Sequence, residues 1–159
     1  MEIKPKSEAR IQEDAFKFIR KHHPETYGCL WHVPNGGLRD KVGVRTFAGQ
    51  GVVPGIQDIH FLWEGNFYVI EIKRPDGQVS AEQKLIHAIH AKHGKMTYLF
   101  KTSEGIIYFV QAILSGAGID NFVPYISRFA RPEMIDIYRQ EAFVERERRA
   151  QAKAKKKAA

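Results

Sequence analysis

The chain predicts an α/β fold, a small mixed β-sheet flanked by helices, and three observations carry that reading. Two β-branched and aromatic runs, Gln57 to Trp63 and Asn66 to Lys73, stand on either side of Glu64-Gly65, the spacing of a tight hairpin. A helical pattern opening at Ser80 and a further strand pattern from Lys95 to Lys101 follow, which makes a strand-helix-strand unit that should cross over right-handed. Finally, the order helix, strand, long loop, hairpin, helix, strand and then mostly helix is that of layered α/β or α+β domains.

Each element has a local cause. Ser7 can cap a first helix in which Ile11, Ala15, Phe18 and Ile19 recur at helical spacing until His22-His23-Pro24 stops it. Gly28 to Val33 reads as a short strand. Pro34-Asn35-Gly36-Gly37 with Gly43, Gly49, Gly51, Pro54 and Gly55 then describes a long loop, a kind of segment that usually has a function. After the hairpin, Arg74 to Val79 is a loop, and the helix capped by Ser80 runs to about His93 and ends at Gly94. Ser103 to Ser115 reads as helix, although Ile106 to Val110 also fits a strand. Arg131-Pro132-Glu133 opens a last, loosely periodic helix that dissolves into Ala/Lys repeats, expected to be a disordered tail.

At 159 residues with 43% hydrophobic content, the chain is long enough for one core-bearing domain and too short for two catalytic ones. The lone Cys29 cannot pair within the chain and leaves a cysteine zinc site without partners, so a reducing, cytoplasmic setting is expected. Met1 to Lys6 lacks the apolar core of a signal peptide, and no run is apolar enough to span a membrane. The net charge is +7, of which the segment from Glu145 to Ala159 supplies most, with seven Lys and Arg against two Glu. A polyanionic partner is suggested, and the basic segment belongs to the tail more than to the fold.

The chemistry concentrates on the hairpin. Alternation puts Phe67, Val69, Glu71 and Lys73 on one face of their strand. If Glu64-Gly65 is a two-residue turn, Trp63 faces Asn66 and the same register carries Asp58 directly opposite Glu71, with Cβ atoms about 4.5–5.5 Å apart. Two carboxylates so placed on a hydrophobic strand repel unless they are protonated or share a cation. A hard divalent ion answers this economically, Mg²⁺ typically taking one or two carboxylates and keeping waters, with the Lys73 ammonium beside it to steady a hydroxide or a phosphate oxygen.

At these residues the chain resembles the PD-(D/E)xK nuclease superfamily and, within it, the VRR-NUC (virus-type replication and repair nuclease) family. The segments are Ser7 to Gln12, Trp31 to Gly36, Gly51 to Ile59, Glu71 to Gly77 and Ser80 to Gln83, in the family's order over about residues 7 to 104. Gln57 departs from the pattern, standing where the family usually has proline before the aspartate, a conformational position and not a ligand. The resemblance implies a restriction-endonuclease-like sandwich spanning 1–130, followed by a C-terminal helix and basic tail over 131–159. It implies Asp58, Glu71 and the backbone carbonyl of Ile72 as metal ligands, Lys73 as the catalytic lysine, and roles for Glu8 (a catalytic and metal-site acid) and Gln83. Glu8 lies seven residues before Ala15, on the buried stripe of its helix, which agrees; a first-turn glutamate can also simply complement the helix dipole. The implied activity is Mg²⁺-dependent DNA endonuclease chemistry, with Mn²⁺ also accepted, on branched or four-way-junction DNA; because a junction needs two symmetric incisions and the chain offers one metal site, a symmetric homodimer is expected as the active species. The alternatives are nicking, end-trimming or restriction-type cleavage, or a DNA-binding module that has lost catalysis.

Other residues invite weaker readings. His87, His90 and His93 step round their helix by about 60° each, so one ion cannot take all three. His87 and His90 share the Gln83 face, and His87 is placed near bound phosphates or as a satisfied core histidine. Asn35, Arg39, Lys41 and Arg45 could cradle a DNA backbone or form a solvated loop. Trp31 and Trp63 read as core or strand-face aromatics. Ile119, Phe122, Val123, Tyr125, Ile126 and Phe129 form a dense apolar stretch expected to supply the dimer surface.

Overall fold

The computed structural model describes residues 5–34 and 49–158. Helix α1 (Glu8–His22) is capped by Ser7, whose hydroxyl accepts from Arg10 N–H, and buries Ile11, Ala15 and Ile19. Four strands follow in space as β1 (Leu30–His32), β2 (Ile59–Trp63), β3 (Asn66–Ile72) and β4 (Thr97–Phe100), in the order β1-β2-β3-β4. The first three are antiparallel and β4 runs parallel to β3, with α2 (Ala81–Lys92) as the crossover. Among the described residues, helix α3 (Ser103–Leu114), capped by Thr102, and α4 (Ile135–Ala158) complete the set, with short 3-10 turns at Pro24–Thr26, Asp120–Tyr125 and Pro132–Met134.

The hairpin turn is the two-residue type: Glu64 and Gly65 both have positive φ, 47° and 76°, the mirror-image turn whose twist matches the strands. Trp63 therefore faces Asn66, and Ile59 faces Ile70. Alternation then sorts the sheet into two unlike faces. Ile59, Phe61, Ile70 and Ile72 pack with α1 and with Ile106, Phe109, Val110 and Ile113 of α3 into the main core. The helical reading of α3 prevails because those four residues form one stripe, and Gly105 lets the helix start against the Phe100 ring, 2.9 Å from where a Cβ would stand. The opposite face of β3 carries Val69 and Glu71 beneath α2.

Two expectations change. The Ala/Lys tail is helical through Ala158, because Ala, Lys, Arg, Gln and Glu are strong helix formers. Its helix is fastened to α2 by buried Tyr138 and Ala142 and by Arg146 Nε on Glu82 Oε1 at 3.2 Å. The apolar stretch after α3 is not an open face either. Phe122 is 3% exposed and packs on Phe109, Ile119 and Ile126 lie against the core, and Ser127 N–H bonds Thr97 O at 2.8 Å, so the segment closes the free edge of β4. Of the six residues expected to make a dimer surface, Val123 and Tyr125 are the exposed ones.

Candidate active site

Asp58 lies one residue before β2, in register with Glu71. Its Oδ2 accepts from Ile72 N–H at 2.8 Å, taking the place of the next ladder bond. Its own carbonyl is held by Val33 N–H at 2.8 Å and by the His32 ring at 2.9 Å, so β1 clamps the residue from the other side. A strand residue carries its N–H and C=O on one side, so the Ile72 carbonyl leaves β3 toward Asp58.

Glu71 is fully buried. Its Oε1 takes Lys73 Nζ at 3.0 Å and the Gln83 amide at 2.5 Å. Among the described residues its Oε2 has no hydrogen-bond partner, and neither does His87 Nε2, 3.9 Å away. Lys73 Nζ also lies 3.7 Å from Glu8 Oε1, and that same oxygen accepts from Arg74 N–H at 3.3 Å. Gln83 is fixed by the cap of its own helix: Ser80 N–H donates to the Gln83 amide oxygen at 2.9 Å and Gln83 N–H to the Ser80 hydroxyl at 3.2 Å. The capping box that starts α2 thus aims the Gln83 amide at Glu71. The approach is tight from the other side as well, because a Cβ on Gly55 (φ 85°) would stand 2.7 Å from the Glu82 carbonyl carbon.

Burial pushes the Asp58 carboxyl up to about 7, the neighbouring Glu71 charge adding to it while the Ile72 N–H opposes it. Burial likewise pushes Glu71 up to about 7 against the pull of Lys73. One ammonium does not compensate a buried carboxylate and a half-buried one. His87 is driven down to about 4 by burial and then by Lys73, so it is neutral and brings no charge to the pair.

These features fit a hard cation: two carboxylates short of positive charge, a free buried carboxylate oxygen and a carbonyl turned the same way are the oxygen donors that Mg²⁺ takes. Among the described residues no three His, Cys, Asp or Glu side chains converge as a metal-holding group, so the set that fits is Asp58, Glu71 and the Ile72 carbonyl, with Glu8 engaged by Lys73 and Arg74 instead. Asp58, Ile72 and Glu8 line an open cleft of about 660 Å³ whose walls include Phe16, Arg20 and Trp31.

Asp58, Glu71, Lys73, Gln83 and Glu8 thus lie together in the structure. Of the two readings of His87 the structure supports the core histidine and corrects the phosphate contact: it is 0% exposed, with Nδ1 2.9 Å from Ser127 Oγ. Asn35, Arg39, Lys41 and Arg45 lie outside the described residues. Gln57 has more to do than its sequence position suggests. Fully buried, it donates to Thr97 Oγ1 at 2.7 Å and to His90 Nδ1 at 3.1 Å, tying the start of β2 to β4 and α2 immediately beside Asp58. Its departure from proline was the one signal available.

No family model matches the sequence, and no curated protein does. The fold, however, has a counterpart among solved structures. A solved structure described as "VRR_NUC domain protein" superposes with a TM-score of 0.56 at 17% identity, covering 77% of this chain and 93% of that one. The chain is similar to VRR-NUC domains at the level of the fold, the likeness that its motifs imply.

Proposed function

We propose that the protein is a metal-dependent endonuclease that hydrolyses phosphodiester bonds of DNA. The observation that carries this reading is the cross-strand pair of half-buried Asp58 and fully buried Glu71, both carboxyls pushed up to about 7 and Glu71 joined to Lys73, in a fold of the VRR_NUC type. Mg²⁺ or Mn²⁺ held by Asp58, Glu71 and the Ile72 carbonyl would polarise a phosphate oxygen and lower the pKa of a water. The chain's own groups do the rest. Lys73, between Glu71 and Glu8, presents its ammonium where charge develops on the phosphate. Gln83 keeps the Glu71 carboxylate from rotating, and Glu8 holds Lys73 in place.

Branched DNA is the preferred substrate in this proposal, following the resemblance to VRR-NUC nucleases, and two symmetric incisions in a four-way junction would take two copies of the chain. The test is cleavage of linear, flapped and four-way DNA in Mg²⁺ or Mn²⁺, with EDTA as control, by the wild type and by Glu71→Gln. Metal-dependent cutting that Glu71→Gln abolishes without unfolding is expected. Cutting by Glu71→Gln at the wild-type rate would show that the site is misassigned. Light scattering at assay concentration decides between one copy and two.

A further inference from the structure

Lys73 lines a second cleft, of about 390 Å³, between the 74–79 turn and the 124–129 segment, and the two clefts share no lining residue. Their chemistry is opposite. The first carries Glu8, Glu13 and Asp58 against Arg20 alone, whereas the second, among the described residues, carries Lys73, Lys101 and Arg128 and no acid. Lys101 Nζ donates to Pro75 O at 2.8 Å, and the Arg128 guanidinium rests 4.7 Å from the Phe129 ring centroid. Among the described residues neither of these two forms an ion pair with a carboxylate, so both are available to an anion. The same wall offers a flat ring. Tyr125 is 41% exposed and is backed by the fully buried Phe100, ring centroids 4.9 Å apart and 23° from parallel, so it is held in place before anything binds.

Cations around a rigid, half-exposed aromatic ring are the chemistry that takes one nucleotide of an unpaired strand, phosphate on the cations and base on the ring. A base inside a duplex is stacked on both faces and has none to offer. We propose that this cleft holds an unpaired nucleotide next to the bond that is cut, with its phosphate against Lys101 and Arg128 and its base against Tyr125. The proposal rests on the nuclease reading above and assigns it a substrate class: DNA that is single-stranded at the cut, such as a flap, a frayed end or the open centre of a junction.

The test compares a duplex bearing a single-stranded tail with a blunt duplex of equal length, both labelled for anisotropy, in EDTA. A 2-aminopurine in the tail reports stacking. The wild type should bind the tailed DNA more tightly and quench the probe. Lys101→Gln with Arg128→Gln should weaken tailed binding by about tenfold and make its log K against log salt slope shallower by about 0.7 for each phosphate no longer neutralised, leaving blunt binding unchanged. Tyr125→Leu should abolish the quenching and Tyr125→Phe should keep it. Equal losses on tailed and blunt DNA, or full quenching by Tyr125→Leu, would overturn the cleft. A wild type that cuts DNA yet binds both forms alike loses this proposal and keeps the nuclease reading. One that prefers tails through Tyr125 but cuts nothing in Mg²⁺ or Mn²⁺ does the reverse.

Discussion

Asp58 and Glu71 would be expensive neighbours in any protein that did not use them. Both carboxyls sit at about 7 in the fold against 3.8 and 4.5 in an open chain. Between about pH 4 and 7 the folded state therefore binds more protons than the unfolded one, and metal-free stability falls as pH rises through that window. Asp58→Asn removes one charge while its amide oxygen can still accept from Ile72 N–H, so its advantage over wild type should widen from pH 5 to pH 8. Thermal denaturation in EDTA should show the variant melting about 3 °C or more above wild type at pH 8, the shift expected for about 1 kcal/mol in a domain of this size. A gap that narrows with pH would contradict the assigned shifts. Saturating Mg²⁺ should raise the melting temperature of the wild type and not that of Asp58→Asn.

Among the elements, α2 shows how a local signal can carry a distant role. Ser80 and Gln83 are read from sequence as a cap and a family glutamine, and the structure makes them one device, since the cap orients the amide that holds Glu71. Ser80→Ala should cost about 1 kcal/mol of stability. Gln83→Leu should cost roughly tenfold in cleavage rate, because the Glu71 carboxylate loses its support, whereas Ser80→Ala keeps the backbone N–H that orients the Gln83 amide and should leave the rate near wild type. Denaturant titration beside single-turnover cleavage separates the two effects. The hairpin was legible for a related reason: a two-residue turn fixes every pairing above it, so Glu64-Gly65 alone brings Asp58 to Glu71. What stayed hidden are contacts between residues far apart in the chain with no periodicity to betray them. Gln57 reaching Thr97 and His90, and His87 reaching Ser127, each span at least 33 positions. The same holds for the segment after α3, whose apolar content looked like an interface because nothing local says that β4 has an edge to cover.

Across the whole molecule, positive charge is gathered on α4, next to the site in space though far from it in sequence. Glu82, the residue before Gln83, is paired with Arg146 and Arg149 of that helix. Removing residues 151–159 deletes Lys153, Lys155, Lys156 and Lys157 while leaving that anchor intact. Melting should be unaffected, and the slope of log K against log salt on duplex DNA should become shallower by up to about 0.9 for each phosphate that those lysines had neutralised. An unchanged slope would mean that the helix end does not touch DNA. The anchor also turns α4 into a measuring rod. From Arg149 to Ala158 the helix rises about 14 Å, roughly four base-pair steps of B-form DNA, starting from its attachment at Glu82 beside the proposed site. The stretch of DNA shielded by the protein should therefore be lopsided about the incision, longer on one flank by roughly that reach, and hydroxyl-radical footprints of full-length and shortened protein should differ on that flank alone.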